Sequence, residues 1–166
     1  MKRLCILGGL GYIGSHVVRL AIGAKVPEIV IFDNLTFGKD HLMHLIDKPQ
    51  VTLIEGDITD AMDLAKGIKG CDGVIHLAGL VGDPACSIDE NDTWLVNTES
   101  SRIIADVVNH YKVSRFVFAS SCSVYGASPS HITLNEGSYL NPISWYAKSS
   151  FSGEVIRESF SFAVLS

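Results

Sequence analysis

The chain has 166 residues, with 13 Lys and Arg against 18 Asp and Glu and a formal charge of −5, a size that fits one domain. With 47% hydrophobic and 19% charged residues it can bury a full core, which argues against intrinsic disorder, and no apolar run reaches the ~18 residues needed to span a bilayer. The acidic balance, without a Lys/Arg cluster, argues against a nucleic-acid backbone as partner. Nucleotides held through backbone amides remain open.

The first residues, Met1 to Leu7, carry Lys2 and Arg3 before an apolar run. Glycines interrupt it and no small-residue cleavage site follows cleanly, so it reads as a strand rather than a signal peptide. Five strand candidates follow in order: Leu4–Leu7, Ile29–Phe32, Val51–Glu55, Gly73–Leu77 and Arg115–Ala119. Each is short and nearly continuous in apolar residues, as strands buried on both faces are. Helix candidates alternate with them near Tyr12–Ile22, Asp40–Ile46, Asp60–Lys66, Thr93–His110 and Ser144–Glu158, and Ser161–Leu165 opens a sixth strand. This order predicts an α/β fold, a doubly wound parallel sheet of the Rossmann kind filling residues 1–166 as one domain.

Directly after the first strand stands Gly8-Gly9-Leu10-Gly11-Tyr12-Ile13-Gly14, where a helical pattern opens. Glycines there permit a tight turn, close backbone approach to a pyrophosphate and close helix–strand packing, and the helix N-terminus offers amides and partial positive charge to phosphates. Asp33 ends the second strand 19 residues after Gly14, near the spacing expected for the acid that takes adenine-ribose hydroxyls. A carboxylate there repels a 2′-phosphate, so NAD is the expected cofactor rather than NADP. A strand-end Asp that merely caps the next turn is the plainer alternative.

These residues resemble the extended short-chain dehydrogenase/reductase family, in its nucleotide-sugar epimerase and dehydratase branch. The resemblance implies that Gly8, Gly11, Tyr12, Ile13 and Gly14 face the pyrophosphate and that Asp33 and Asn34 face the ribose. It further implies that Asp57 and Ile58 meet the adenine, and that Leu77, Ala78 and Gly79 form the nicotinamide-side loop after His76. Asn97, in Leu95-Val96-Asn97-Thr98, matches the family's helix asparagine, although a polar group satisfied within its own helix explains it equally well. The matches fall in chain order, which is more specific than any one of them.

Ser120-Ser121-Cys122-Ser123-Val124-Tyr125-Gly126 resembles the family's segment after the fifth strand. Ser121 aligns with the hydroxyl that binds the reacting sugar oxygen, and Ser123 is its back-up. By position Ser121 could equally form a strand-end turn. The acidic pair of the family's dehydratases is replaced by Cys122 and Ser123, which points to epimerisation or simple oxidoreduction. Tyr146, 25 residues after Ser121, matches the family's Tyr-x-x-x-Lys base, whose lysine lowers the phenol's pKa and holds the nicotinamide ribose. Here the fourth residue on is Ser150, and Lys148, two positions on, falls roughly 200° around a helix. The hydride step is expected to be severely impaired.

In the resembled family a C-terminal region of well over a hundred residues holds the nucleotide sugar. The expectation is therefore a chain that lacks most of that substrate domain. It would be a truncated product, a module that keeps the cofactor for binding alone, or one whose partner supplies the missing half. The same resemblance implies a homodimer through the Thr93–His110 and Ser144–Glu158 helices, whose apolar stripes would equally serve to pack on the sheet. The four cysteines lie far apart without a Cys-x-x-Cys pair, so neither a zinc site nor a disulfide framework is expected and the cytoplasm is the default location. His41 and His44 read as a solvated helix face, Cys122 as an inert half-buried thiol, and Trp94 and Trp145 as core packing at helix starts.

Overall fold

In the computed structural model, residues 1–127, 133–135, 137–158 and 163–165 are described, with side chains followed as far as Ser152. Six strands, β1 (Arg3–Leu7), β2 (Glu28–Asp33), β3 (Val51–Glu55), β4 (Gly73–His76), β5 (Arg115–Ala119) and β6 (Ala163–Leu165), form one sheet in the order β3-β2-β1-β4-β5-β6. Every pairing is parallel. Between them run α1 (Tyr12–Gly23), α2 (Met43–Ile46), α3 (Ala61–Ile68), α4 (Asp83–Cys86), α5 (Glu90–Trp94), α6 (Ser100–His110) and α7 (Trp145–Glu158). The expected doubly wound sheet is the one observed, and the strand order reverses between β1 and β4, where ligands of such sheets bind.

The strand alternation splits the core into two layers. Cys5 and Leu7 of β1 and Val30 and Phe32 of β2 face one side, where Leu64, Ile68, Ile104 and Val108 of α3 and α6 cover them. Leu4 and Ile6 with Ile29 and Ile31 face the other, under Val18 and Ala21 of α1 together with Leu42 and Leu45. Continuous apolar strands therefore arise because both faces are buried. β3 is different. As an edge strand it exposes Thr52 and Glu55, and Val51, Leu53 and Ile54 are only half-buried.

Helix boundaries follow local chemistry. Asp60, expected as the first helical residue, is instead the cap of α3, its carboxylate accepting from the amides of Met62 at 2.7 Å and Asp63 at 3.2 Å. The Asp40–Ile46 stretch opens as a single 3₁₀ turn before α2. The long helix expected over Thr93–His110 is divided: α5, capped by Asp89, passes through a wide π turn at Leu95–Glu99 before α6. There the Ser100 and Ser101 hydroxyls bond the Val96 and Asn97 carbonyls, competing with the regular ladder. Of the expected sixth strand, residues 161–162 lie outside the described residues.

Two packing expectations are corrected. Trp94 and Trp145 are exposed rather than core, at 39% and 37%. Trp94 closes the short α5, and Trp145 opens α7 with its ring under the Lys148 ammonium, 5.4 Å from the centroid. Cys122 is exposed rather than half-buried, because Ser121 caps a 3₁₀ turn at Cys122–Tyr125 that carries the thiol outward. His41 and His44 are exposed as expected.

Phe32 is fully buried, and a Cβ on Gly56 or Gly67 would come within 2.7 Å or 2.9 Å of its ring. The ring thus fills space that two glycines leave to it. Phe32→Ala is expected to destabilise the fold by about 3–5 kcal/mol through the cavity it leaves, measured as a fall in the urea unfolding midpoint at constant slope.

Candidate dinucleotide site

The glycine loop joins β1 to α1 by contacts that admit no side chains. Gly8, at φ +78°, donates its amide to Phe32 O at 2.8 Å, and a Cβ on it would stand 2.7 Å from Ala78 N. A Cβ on Gly14 would strike the Gly8 carbonyl and lie 2.8 Å from Gly9 Cα. Helix α1 consequently starts against the strand end. No side chain caps its N-terminus and no acidic residue occupies its first turn, so its partial positive charge is left for an external anion. Tyr12 and Ile13 flank this end and are exposed.

Asp33 turns toward this loop. Its Oδ2 accepts from Leu10 N at 2.9 Å and its Oδ1 from Leu35 N at 3.0 Å. It caps the following turn, as the plainer alternative held, and also braces the loop, with lone pairs left on both oxygens. Asn34, exposed, accepts from the Thr36 amide and hydroxyl. Asp57 does likewise for Thr59, and Ile58 is buried in the core layer that contains Phe32.

On the other side of the switch point, Asn97 binds the loop after β4. Its Oδ1 accepts from Leu80 N at 2.8 Å, and its Nδ2 donates to Leu80 O at 3.0 Å and to Ser149 Oγ at 3.2 Å. Ser149 Oγ donates in turn to the Tyr146 carbonyl at 2.9 Å. Both amide hydrogens of Asn97 are therefore engaged within the protein, leaving one lone pair of Oδ1 for a ligand. One side chain ties the Leu77–Leu80 loop to helix α7.

A cleft of about 120 Å³ opens between these parts, lined among others by Ile13, Leu77, Ala78 and Gly79 and by Tyr146 and Ser150 of α7. Ser150 is buried there, while Lys148 is exposed on the far side of the helix over Trp145. Ser121 and Ser123 are not part of this lining. Ser121 Oγ accepts from Ser123 N at 3.2 Å, capping the 3₁₀ turn beside the cleft, and its O–H is left to donate.

Two wall residues escaped the sequence reading as site groups. His76 is 2% exposed with Nδ1 unpartnered, and Ser120 Oγ is buried and unpartnered. Both border the cleft. The only signal was position: His76 ends β4 at the switch point, and Ser120 directly follows the neighbouring β5. Burial lowers the His76 pKa to about 4, so its ring, packed at 5.3 Å on Phe118, is neutral at physiological pH.

The family described as the NAD dependent epimerase/dehydratase family matches residues 4–163. This chain belongs to that family. Among family relatives, the UDP-glucose 4-epimerase of Azospirillum brasilense is 32% identical over 149 residues, covering 89% of this chain and 41% of that protein. That of Lacticaseibacillus casei is 28% identical over 155 residues, covering 92% and 45%. The crystal structure of DesIV, a dTDP-glucose 4,6-dehydratase from Streptomyces venezuelae with NAD and TYD bound, superposes with a TM-score of 0.89 at 28% identity, over 98% of this chain and 53% of that one. A UDP-glucose 4-epimerase complex with NAD from Thermus thermophilus gives 0.85 at 25% identity, over 98% and 53%. The chain thus spans about half the length of these family members.

The residues present fit the family's dinucleotide. The loop that a Cβ would obstruct, the uncapped helix end and the braced carboxylate suit a diphosphate and ribose, and unpartnered polar atoms stand in the cleft wall. His76 also has a consequence for stability. Its folded pKa is depressed from 6.5 to about 4, so below pH 6.5 the unfolded chain takes a proton that the folded chain refuses. Stability is expected to be complete above pH 6.5 and to fall by about 3 kcal/mol as pH drops to 4. Asp63 and Asp72, held below the usual carboxylate range by the Lys66 ammonium and by the Arg3 and Lys2 amides, titrate beneath this window. Urea unfolding across that range measures the loss, and His76→Phe should flatten it.

Proposed function

We propose that residues 1–166 act as an NAD-binding domain for nucleotide-sugar chemistry of the 4-epimerase kind, with the hydride step weakened by Ser150. The observation that carries the cofactor reading is the Asp33 carboxylate bonded to Leu10 N at the glycine loop. A negative group there accepts ribose hydroxyls and repels a 2′-phosphate. The names of the relatives, UDP-glucose 4-epimerases of bacteria, support UDP-hexoses as the substrate class.

The bound dinucleotide supplies reversible hydride acceptance. In this reading Tyr146 takes a hydroxyl proton at its phenol oxygen, and Ser121, whose O–H is uncommitted, holds the oxygen losing it. Asn97 and Ser149 fix the start of α7 relative to the cofactor loop. Ser150 brings no charge to stabilise a phenolate, and Lys148 lies over Trp145. That placement favours a second reading, a module that binds dinucleotide without turning over sugar.

Calorimetric titration should show NAD binding at least about tenfold tighter than NADP, with Asp33→Asn narrowing the difference. Absence of heat with either, in folded protein, overturns the cofactor assignment. Epimerisation of UDP-glucose separates the two functional readings. Ser150→Lys is expected to raise the rate about a hundredfold, and robust turnover by the unmodified chain removes the non-catalytic reading.

A further inference from the structure

Two cysteines distant in sequence meet beside the first strand. Cys5 of β1 is fully buried, and Cys71, in the turn between α3 and β4, is 6% exposed. Both are free thiols in the same core layer. Cys71 Sγ donates to the Gly67 carbonyl at 3.3 Å, a Cβ on Gly67 would stand 3.6 Å from Cys5 Sγ, and the two thiols are hydrogen-bonded to each other. Asp72 fastens the turn to β1, its carboxylate accepting from the amides of Lys2 at 2.7 Å and Arg3 at 2.8 Å. The Arg3 guanidinium acts on Cys71, and its Nε is buried without a hydrogen-bond partner. A buried donor of that kind calls for an acceptor, which a Cys71 thiolate would be. The Cys5 thiol, donating to Cys71, holds the latter below its usual range against the effect of burial, and Arg3 adds to this. The same bond and burial push Cys5 up.

From this juxtaposition we propose that Cys5 and Cys71 form a peroxide-oxidised dithiol, in which the Cys71 sulfur attacks and Cys5 resolves it into a reversible Cys5–Cys71 disulfide. The Cys71 thiolate attacks hydrogen peroxide, an S–O bond forms as the O–O bond breaks, and the hydroxide takes a proton and leaves as water. The Cys5 sulfur then attacks the sulfenic sulfur. An S–S bond forms, the S–O bond breaks, and the hydroxide departs as water with the Cys5 proton. The thiol pair is thereby oxidised to the disulfide, and the peroxide is reduced to water. The turn is open beside Cys71, since a Cβ on Gly70 would meet nothing, and a peroxide is small enough to enter from that side. Neither cysteine lines the cleft at α7, so the proposal is independent of the cofactor reading.

The experiment treats the full chain carrying Cys122→Ser, which removes the exposed thiol and leaves Cys5, Cys71 and Cys86, with hydrogen peroxide and then counts thiols in denaturant. The oxidised chain is expected to titrate only the Cys86 thiol, to lose the mass of a pair of hydrogens, and to yield a peptide joining Cys5 to Cys71 that dithiothreitol separates. Adding Cys5→Ala should stall Cys71 at the sulfenic acid, trapped there by dimedone, whereas adding Cys71→Ala should leave Cys5 unmodified. Retention of all the thiols after peroxide, oxygen added at Cys71 without linkage, or a linkage through Cys86 overturns the proposal. If either alanine variant does not fold, the thiol count and peptide map of the Cys122→Ser chain still decide.

Discussion

One carboxylate governs the dinucleotide end of this molecule. Asp33 leaves the end of β2 and bonds the amide of Leu10, in the middle of the loop that follows β1. The two strands are already in register, Leu7 beside Phe32, and Gly8 adds its own amide to the Phe32 carbonyl. The loop is thereby closed from below by the sheet and from the side by Asp33. Gly14 then has to pass the Gly8 carbonyl with no side chain between them. Once that approach is made, the start of α1 can point only across the end of the sheet, at the gap between β1 and β4. The uncapped start of α1 is held beside the glycine loop by strand register plus one braced turn.

The opposite wall is built by a different kind of contact. Helix α7 meets the wide turn at Leu95–Glu99 through Ser149, which accepts from Asn97 and Thr98, and the small side chains of Ala147, Ser149 and Ser150 are all buried. Bulkier residues would hold the two helices apart. Small hydroxyls let them close, and Asn97 then spans from Leu80 to Ser149. The wide turn matters here because the Ser100 and Ser101 hydroxyls hold the carbonyls of Val96 and Asn97 while the Asn97 amide reaches sideways to the loop. The position of Tyr146 is thus set by a polar seam of short side chains, whereas Asp33 and the glycine loop are set by the sheet.

The difference explains what could be read from the sequence. Strands and their order were legible because burial on both faces leaves continuous apolar runs, and the glycine loop because its constraint is local and repeats at fixed spacing. Asp33 was legible by distance from Gly14, and Lys148 by helical angle. Asp60 as a cap, rather than as first residue of a helix, needed the amides of Met62 and Asp63 to be placed. The wide turn depends on competition between side-chain and backbone acceptors, which apolar periodicity does not record. Trp94, Trp145 and Cys122 were read by residue type, and their exposure follows from their places at the end of α5, the start of α7 and a 3₁₀ turn. His76 and Ser120 look ordinary in sequence. Their unpartnered state appears only when β4 and β5 are set side by side, His76 opposite Phe118.

Ser150 brings no charge to the cleft. With serine, the wall contains donors and acceptors only, and the buried His76 cannot supply a cation because desolvation keeps it neutral. The polar seam beneath is complete, since Asn97 has spent both amide hydrogens on Leu80 and Ser149. The groups that position α7 are distinct from the residue whose side chain would charge the site. Architecture and chemistry are separable at this helix: the first rests on Ala147, Ser149 and Asn97, the second on the identity of residue 150.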